Sequence, residues 1–339
     1  MPDTSPRETI TSLAKRLNLH HSTISRALRN DPSISEKTRK RVWETAAEVG
    51  YRPDPKIREL MHQVRKSRES TEPQETLAIF LPSSLELNPH RAKLIAYVQR
   101  GMEAEAESNG FTLEVHHEKA EGPSGHRISQ VLYHRGVRGL IVMPPDDETY
   151  QPQLNFDHFA TVAIGLDTLR TLPLHRVCFD AFLCMDECLH ELSRRGHERV
   201  ALVLSGIPFW CASARYQAAS LLAAKRRGVT IQIFEEFNPD ATEDYFRTVT
   251  SWRPDAILAD TPFRLKGFSV APFPVESGLQ RYAIGMPEGR FSGYAIDLEE
   301  IGRLAIQRLI LELQNNRIGL PDTPDSTLVT GRWMDSSDN

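Results

Sequence analysis

The chain has 339 residues, a formal net charge of −4 at pH 7, 25% charged residues and 40% hydrophobic residues, a composition ordinary for a soluble globular protein of two or three domains. No apolar run approaches the roughly 20 residues that span a bilayer, and the opening MPDTSPRETI lacks the apolar core of a secretory signal, so cytoplasmic residence is the expectation. Residues 1–70 hold 15 Lys+Arg against 9 Asp+Glu, while the remainder holds 26 against 36, so only this basic head suits a polyanion.

The head reads as three short helices. Apolar Ile10, Leu13, Ala14 and Leu17 recur at helical spacing, and NLHHS breaks the pattern. A second helix runs from about His21 to Arg29 and stops at NDPS. Ser35 caps a third, whose inner stripe is Val42, Ala46 and Val49 and which Gly50 ends. Two prolines, Pro53 and Pro55, open the next stretch, which turns charged and polar from Arg65 to Thr76, a linker by composition.

From Leu77 onward, strands alternate with helices. TLAIFLP, FTLEVHH, VRGLIVMPP, FATVAIG and RVCFD read as strands, with helices at AKLIAYVQRGMEAEAESNG and HRISQVLYHRG. After the helix AFLCMDECLHELSRRG, a second series runs through RVALVLS, the helix SARYQAASLLAAKRRG, TIQIFEE, a helix after Pro239, PDAILAD and RYAIGM, then the helix DLEEIGRLAIQRLILELQNN. This order predicts parallel sheets wound on both faces, in two lobes with a ligand cleft at the strand carboxyl ends. Cys178, Cys184, Cys188 and Cys211 contain no C-x-x-C pair. They read as small buried thiols; a metal or redox pair at Cys184 and Cys188 is the alternative.

The chemistry concentrates in HHSTISRALRND, residues 20–31. On a helical wheel Ile24, Ala27 and Leu28 share one arc, while Ser22, Ser25, Arg26 and Arg29 lie opposite and His21 sits in the first turn. The apolar arc packs on helix 1 and the polar arc faces outward, which is helix-turn-helix geometry. Arg26 has the paired donors that read guanine, and hydroxyls at a helix start suit phosphates. The alternatives are a solvated face or metal ligation by His20 and His21, whose side chains diverge on a helix.

TITSLAKRLNLHHSTISRALRNDPSISEKTRKRVWETAAEVGYRPDP resembles the headpiece of the lactose-repressor (LacI/GalR) family of bacterial transcription factors. Ala14, STISRAL, the KTR of helix 3, the later Gly-Tyr and the hinge carry the match, and the body resembles the family's periplasmic-binding-protein-like core. The resemblance implies domains at residues 1–52 (headpiece), 53–76 (hinge helix and linker) and 77–339 (effector-binding and dimerisation). It makes His21, Ser22 and Arg26 base readers and His20, Thr23, Ser25, Arg29, Ser35 and Thr38 phosphate neighbours. Leu60 takes the place of the hinge leucine that wedges into the minor groove. Ile57 replaces the small residue usual in the hinge.

Residues 261–280, TPFRLKGFSVAPFPVESGLQ, depart from the family pattern: they carry prolines in place of a long helix, and the family's sugar-contacting aspartate is missing after RYAIG. A shortened second lobe and an effector bound otherwise than the family's sugars are expected. Cleft candidates are Asp167, Trp210, Arg215 and Asp260, each with a plain structural alternative as a core, salt-bridge or turn residue. No P-loop, dinucleotide, zincin or nucleophile-elbow motif is present. The expectation is therefore a dimeric DNA-binding regulator, a repressor on a pseudo-palindromic operator under a small-molecule effector, with no enzyme activity, cofactor or metal. The alternatives are a small-molecule-binding protein without DNA function and an α/β enzyme fused to a helix-turn-helix.

Overall fold

A computed structural model of the chain describes residues 10–28, 31, 33–49, 51, 75–82, 89–118, 124–145, 150–166, 168–204, 213–235, 243–260, 280–285 and 291–336. The head folds as Ile10–Leu17 (α1), His21–Leu28 (α2) and Glu36–Glu48 (α3). Its core is Leu13, Ala14, Leu17, Ile24, Ala27, Val42 and Ala46, with Leu19, Leu28, Ile34, Val49 and Tyr51 packed around them. The eight-residue α1 and α2 are marginal alone; here each is held by the apolar stripe that its sequence spacing places on one face. Ser35 caps α3 as expected, its hydroxyl accepting from the Thr38 backbone N–H.

The body begins with Glu75–Leu81 (β1), whose first residue lies two positions inside the stretch assigned to the linker. Pro89–Ser108 (α4), Phe111–His117 (β2), Gly125–His134 (α5), Gly139–Val142 (β3), Ala160–Ile164 (β4) and His175–Phe179 (β5) follow. Then come Ala181–Arg194 (α6), Arg199–Leu204 (β6), Ser213–Arg227 (α7), Thr230–Glu235 (β7), Glu243–Ser251 (α8), Ala256–Ala259 (β8) and Gln280–Gly285 (β9). Ser292–Ala295 (β10), Leu298–Gln314 (α9), Ser326–Val329 (β11) and Arg332–Met334 (β12) complete the chain.

Two sheets result, ordered β11-β5-β4-β3-β1-β2 and β12-β10-β9-β8-β6-β7. Every pairing is parallel except β10 with β12. The chain passes between sheets three times, after β5, after β10 and after β11. This is the expected two-lobed periplasmic-binding-protein-like body. The central strands are buried along their length, as parallel strands covered on both faces must be. Helix α9 returns to the first sheet, where Gly302 lets it touch α4 backbone to backbone: a Cβ there would stand 2.0 Å from the Val98 carbonyl oxygen.

The lobes share one continuous apolar core. Phe179, at the end of β5, stacks on Tyr216 of α7 with ring centroids 5.9 Å apart. Cys178, Cys184 and Cys188 are buried free thiols in that core; Cys211 lies outside the described residues. Among the described residues no group of His, Cys, Asp and Glu is arranged to hold a metal, and no helix is long and apolar enough to cross a membrane. The two sheets have equal strand numbers among the described residues. The segment on which a shortened second lobe rests, residues 261–279, lies outside them.

Candidate nucleic-acid interface

The turn between α1 and α2 is built by its own backbone. Leu19 N–H donates to the Ala14 carbonyl at 3.0 Å and Asn18 N–H to that of Lys15 at 3.3 Å, while Asn18 takes φ +52°. This is a left-handed helix stop, in which the last carbonyls of α1 are satisfied and the chain is redirected. His20 opens α2, its carbonyl accepting from Thr23 N–H at 2.9 Å and Ile24 N–H at 3.2 Å.

Ile24 and Ala27 are completely buried against the other two helices. Arg26 and His20 are exposed and Thr23 is half-buried. The outward arc is therefore where the sequence pattern places it, at least for these residues. His21, Ser22 and Ser25 lie on the described backbone of α2, but their side chains, like all of Arg29, lie outside the described residues. Ser35 and Thr38 sit together at the start of α3, their hydroxyls 2.8 Å apart. A ligand oxygen at this helix start meets two hydroxyls already joined to one another, beside Lys37 and Lys40, both exposed. Basic side chains in the head and the positive end of α3 suit a polyanion. The hinge, with Ile57 and Leu60, lies outside the described residues.

In the body, Asp167 and Trp210 lie outside the described residues. Arg215 is exposed near the start of α7, and Asp260 follows β8, so both belong to the carboxyl-end side of the second sheet. Next to Arg215 in sequence is Tyr216, which sequence reasoning passed over and which is buried against Phe179. Burial pushes its hydroxyl well above the ordinary tyrosine range, and the nearby Asp260 carboxylate adds to the effect. The only sequence signal for Tyr216 was its place beside Arg215. A cavity of about 520 Å³ lies at the crossovers themselves, lined by Tyr97, Ile296, Asp297, Glu299, Thr330 and Arg332 among others. It was not legible beforehand, because its walls come from helix starts and strand ends distant in sequence.

The described residues thus form a three-helix head of helix-turn-helix arrangement and a two-lobed body with three crossovers between its sheets. Residues 9–54 match the family profile described as bacterial regulatory proteins, lacI family. It is 28% identical over 140 residues to the HTH-type transcriptional regulator MalR of Streptococcus pneumoniae, covering 41% of this chain and 40% of that protein. Identity to the HTH-type transcriptional repressor CytR of Escherichia coli is 23% over 198 residues, 58% of this chain and 53% of CytR. The matches thus span about half the length of these relatives or less. The fold is similar to that of the lac repressor dimer bound to operator and the anti-inducer ONPF, with TM-score 0.57, 16% identity and coverage of 97% of this chain and 98% of that one. It is equally similar to the CelR–cellobiose complex, with TM-score 0.58, 16% identity and coverage of 98% and 100%.

Proposed function

We propose that the protein is a sequence-specific DNA-binding transcriptional regulator, a repressor that binds a pseudo-palindromic operator as a dimer and answers to a small molecule in the inter-lobe cleft. The observation that carries this reading is α2: its apolar arc is consumed by the head's core, and Arg26 is left facing outward from a basic domain. In this reading α2 enters the major groove, with His21, Ser22 and Arg26 on base edges. His20, Thr23, Ser25, Arg29, Ser35 and Thr38 lie along phosphates, and Leu60 wedges into the minor groove. Residues 1–52, 53–76 and 77–339 act as reader, hinge and effector-binding dimer body. The acidic body keeps contact with DNA confined to the head.

Ligand binding among Asp167, Trp210, Arg215 and Asp260 changes lobe closure and thereby the spacing of two heads, altering operator affinity. The relatives it matches are named as transcriptional regulators, which supports this reading over an enzyme. The test is recovery of sheared genomic DNA by the purified chain. A regulator of this kind enriches a few fragments sharing one two-fold-symmetric sequence, with enrichment that survives competitor DNA. Uniform recovery of all fragments, or none, contradicts the reading.

A further inference from the structure

Arg41 stands on α3, outside the recognition helix, yet its guanidinium reaches across the head. Its Nη2 donates to the carbonyl oxygen of Leu17, the last residue of α1, at 3.1 Å. That carbonyl belongs to the set a helix leaves without an internal partner. Two neighbours in the set are satisfied by the turn itself: Ala14 by Leu19 N–H and Lys15 by Asn18 N–H. Leu17 closes the series, and it does so through a charged donor placed at the negative end of the α1 dipole. The next residue, Asn18, holds φ +52°, a conformation that costs a non-glycine residue energy and persists only where its surroundings fix it. Two residues later His20 begins α2.

We infer that Arg41 is a positioning residue for DNA reading: by capping α1 it fixes the turn that sets the angle of α2, and it does not itself neutralise a phosphate. The role rests on the proposed DNA-binding function. It assigns to one of the head's basic residues a duty its sequence position does not suggest, since Lys37, Arg39, Lys40 and Arg41 read as one basic run. It also makes the interaction directional. Lysine retains the charge but offers a single ammonium, so it keeps part of the cap; methionine keeps the length and loses the donor.

The experiment compares the full chain with R41K and R41M. The probes are a duplex selected from a random pool by the unaltered protein and a scrambled duplex of equal length, each titrated over a KCl series. The ratio of the two affinities does not depend on the folded fraction, so it separates positioning from mere loss of stability. The expected result is about a tenfold fall in affinity for the selected duplex with R41M, the size of one lost charge-assisted hydrogen bond. Affinity for the scrambled duplex stays within about twofold, the salt slope on it is unchanged, and R41K recovers part of the ratio. Equal loss on both duplexes, with the slope lowered by about one, makes Arg41 a phosphate contact and overturns the inference. An unchanged ratio in R41M overturns it as well. If the unaltered chain selects no sequence at all, the DNA-binding reading itself falls and this role with it.

Discussion

Replacing Ile24 by alanine removes three carbons from a side chain with no solvent exposure, in a head core of only seven buried residues among those described. Such truncations cost about 2–5 kcal/mol, the spread reflecting how far the site collapses. A single core in a unit below about 70 residues supplies roughly 3–5 kcal/mol in total. The two figures are comparable, so Ile24→Ala leaves the head largely or partly unfolded at physiological temperature. The body, whose core clusters are separate from that of the head, keeps its stability. Ile24→Val removes one carbon for about 0.5–1.5 kcal/mol and leaves the head folded. Calorimetry of the three proteins, with binding to a selected duplex measured alongside, reads both effects. Ile24→Ala should lose a low-temperature transition and nearly all specific binding, while Ile24→Val binds within about tenfold of the unaltered chain, as its cost requires. Full binding by Ile24→Ala, or a body transition displaced as far as that of the head, would refute the reasoning.

Gly302→Ala drives a Cβ to within 2.0 Å of the Val98 carbonyl oxygen and should cost the body about 1–3 kcal/mol by forcing α4 and α9 apart; an unchanged urea midpoint for the body transition would contradict this. Glu191 accepts from Arg194 at 2.6 Å and Arg195 at 2.7 Å, and Arg195 also reaches Asp335 at 2.6 Å. The Arg194 bond, then that of Arg195, holds the Glu191 carboxyl below its ordinary range against the opposing effect of burial. A depressed folded pKa means that the stabilisation is complete above the unfolded value of about 4.3 and is lost as pH falls through the folded value. Glu191→Gln should therefore lower stability at pH 7 by about 1 kcal/mol, and the deficit should shrink as pH falls below the ordinary carboxylate range; a deficit that does not change with pH would show packing, not charge, at work. A chain beginning just before Glu75 should sediment as a dimer at micromolar concentration, and a monomer there, with footprints covering one half-site, would count against the symmetric arrangement.

Much of the fold was legible because its signals are local. The stripe Leu13, Ala14, Leu17 and the pair Ile24, Ala27 define both the helices of the head and the face by which they meet. FTLEVHH and the helix from Ala181 are read almost to the residue, since a partly exposed edge strand and an amphipathic helix each leave a period in the sequence. β10, β11 and β12 were not read. Each has three or four residues, too few for a period, and they exist because neighbouring strands offer edges. The start of α4 at Pro89, three residues before the apolar pattern, reflects a proline accommodated in a first helical turn.

The candidate site divides the same way. The outward placement of Arg26 follows from helical geometry alone, and the exposure of His20 agrees with its place in the turn. The Ser35–Thr38 hydroxyl pair and the Arg41 reach to Leu17 depend on how α3 is set against α1, which no local pattern encodes. In the body, the approach of Tyr216 to Phe179, Cys184 and Asp260 joins four separate segments. Only the packed chain brings them to one place.

The central claim is that α2 reads bases, and the most direct measurement is selection of bound duplexes from a random DNA pool by the unaltered chain and by Arg26→Ala in parallel. The account predicts a two-fold-symmetric consensus for the unaltered chain. For Arg26→Ala it predicts relaxed preference at one base position per half-site, with a loss of about 1–3 kcal/mol on the best sequence. No enrichment by the unaltered chain, or an identical consensus from both proteins, would contradict it.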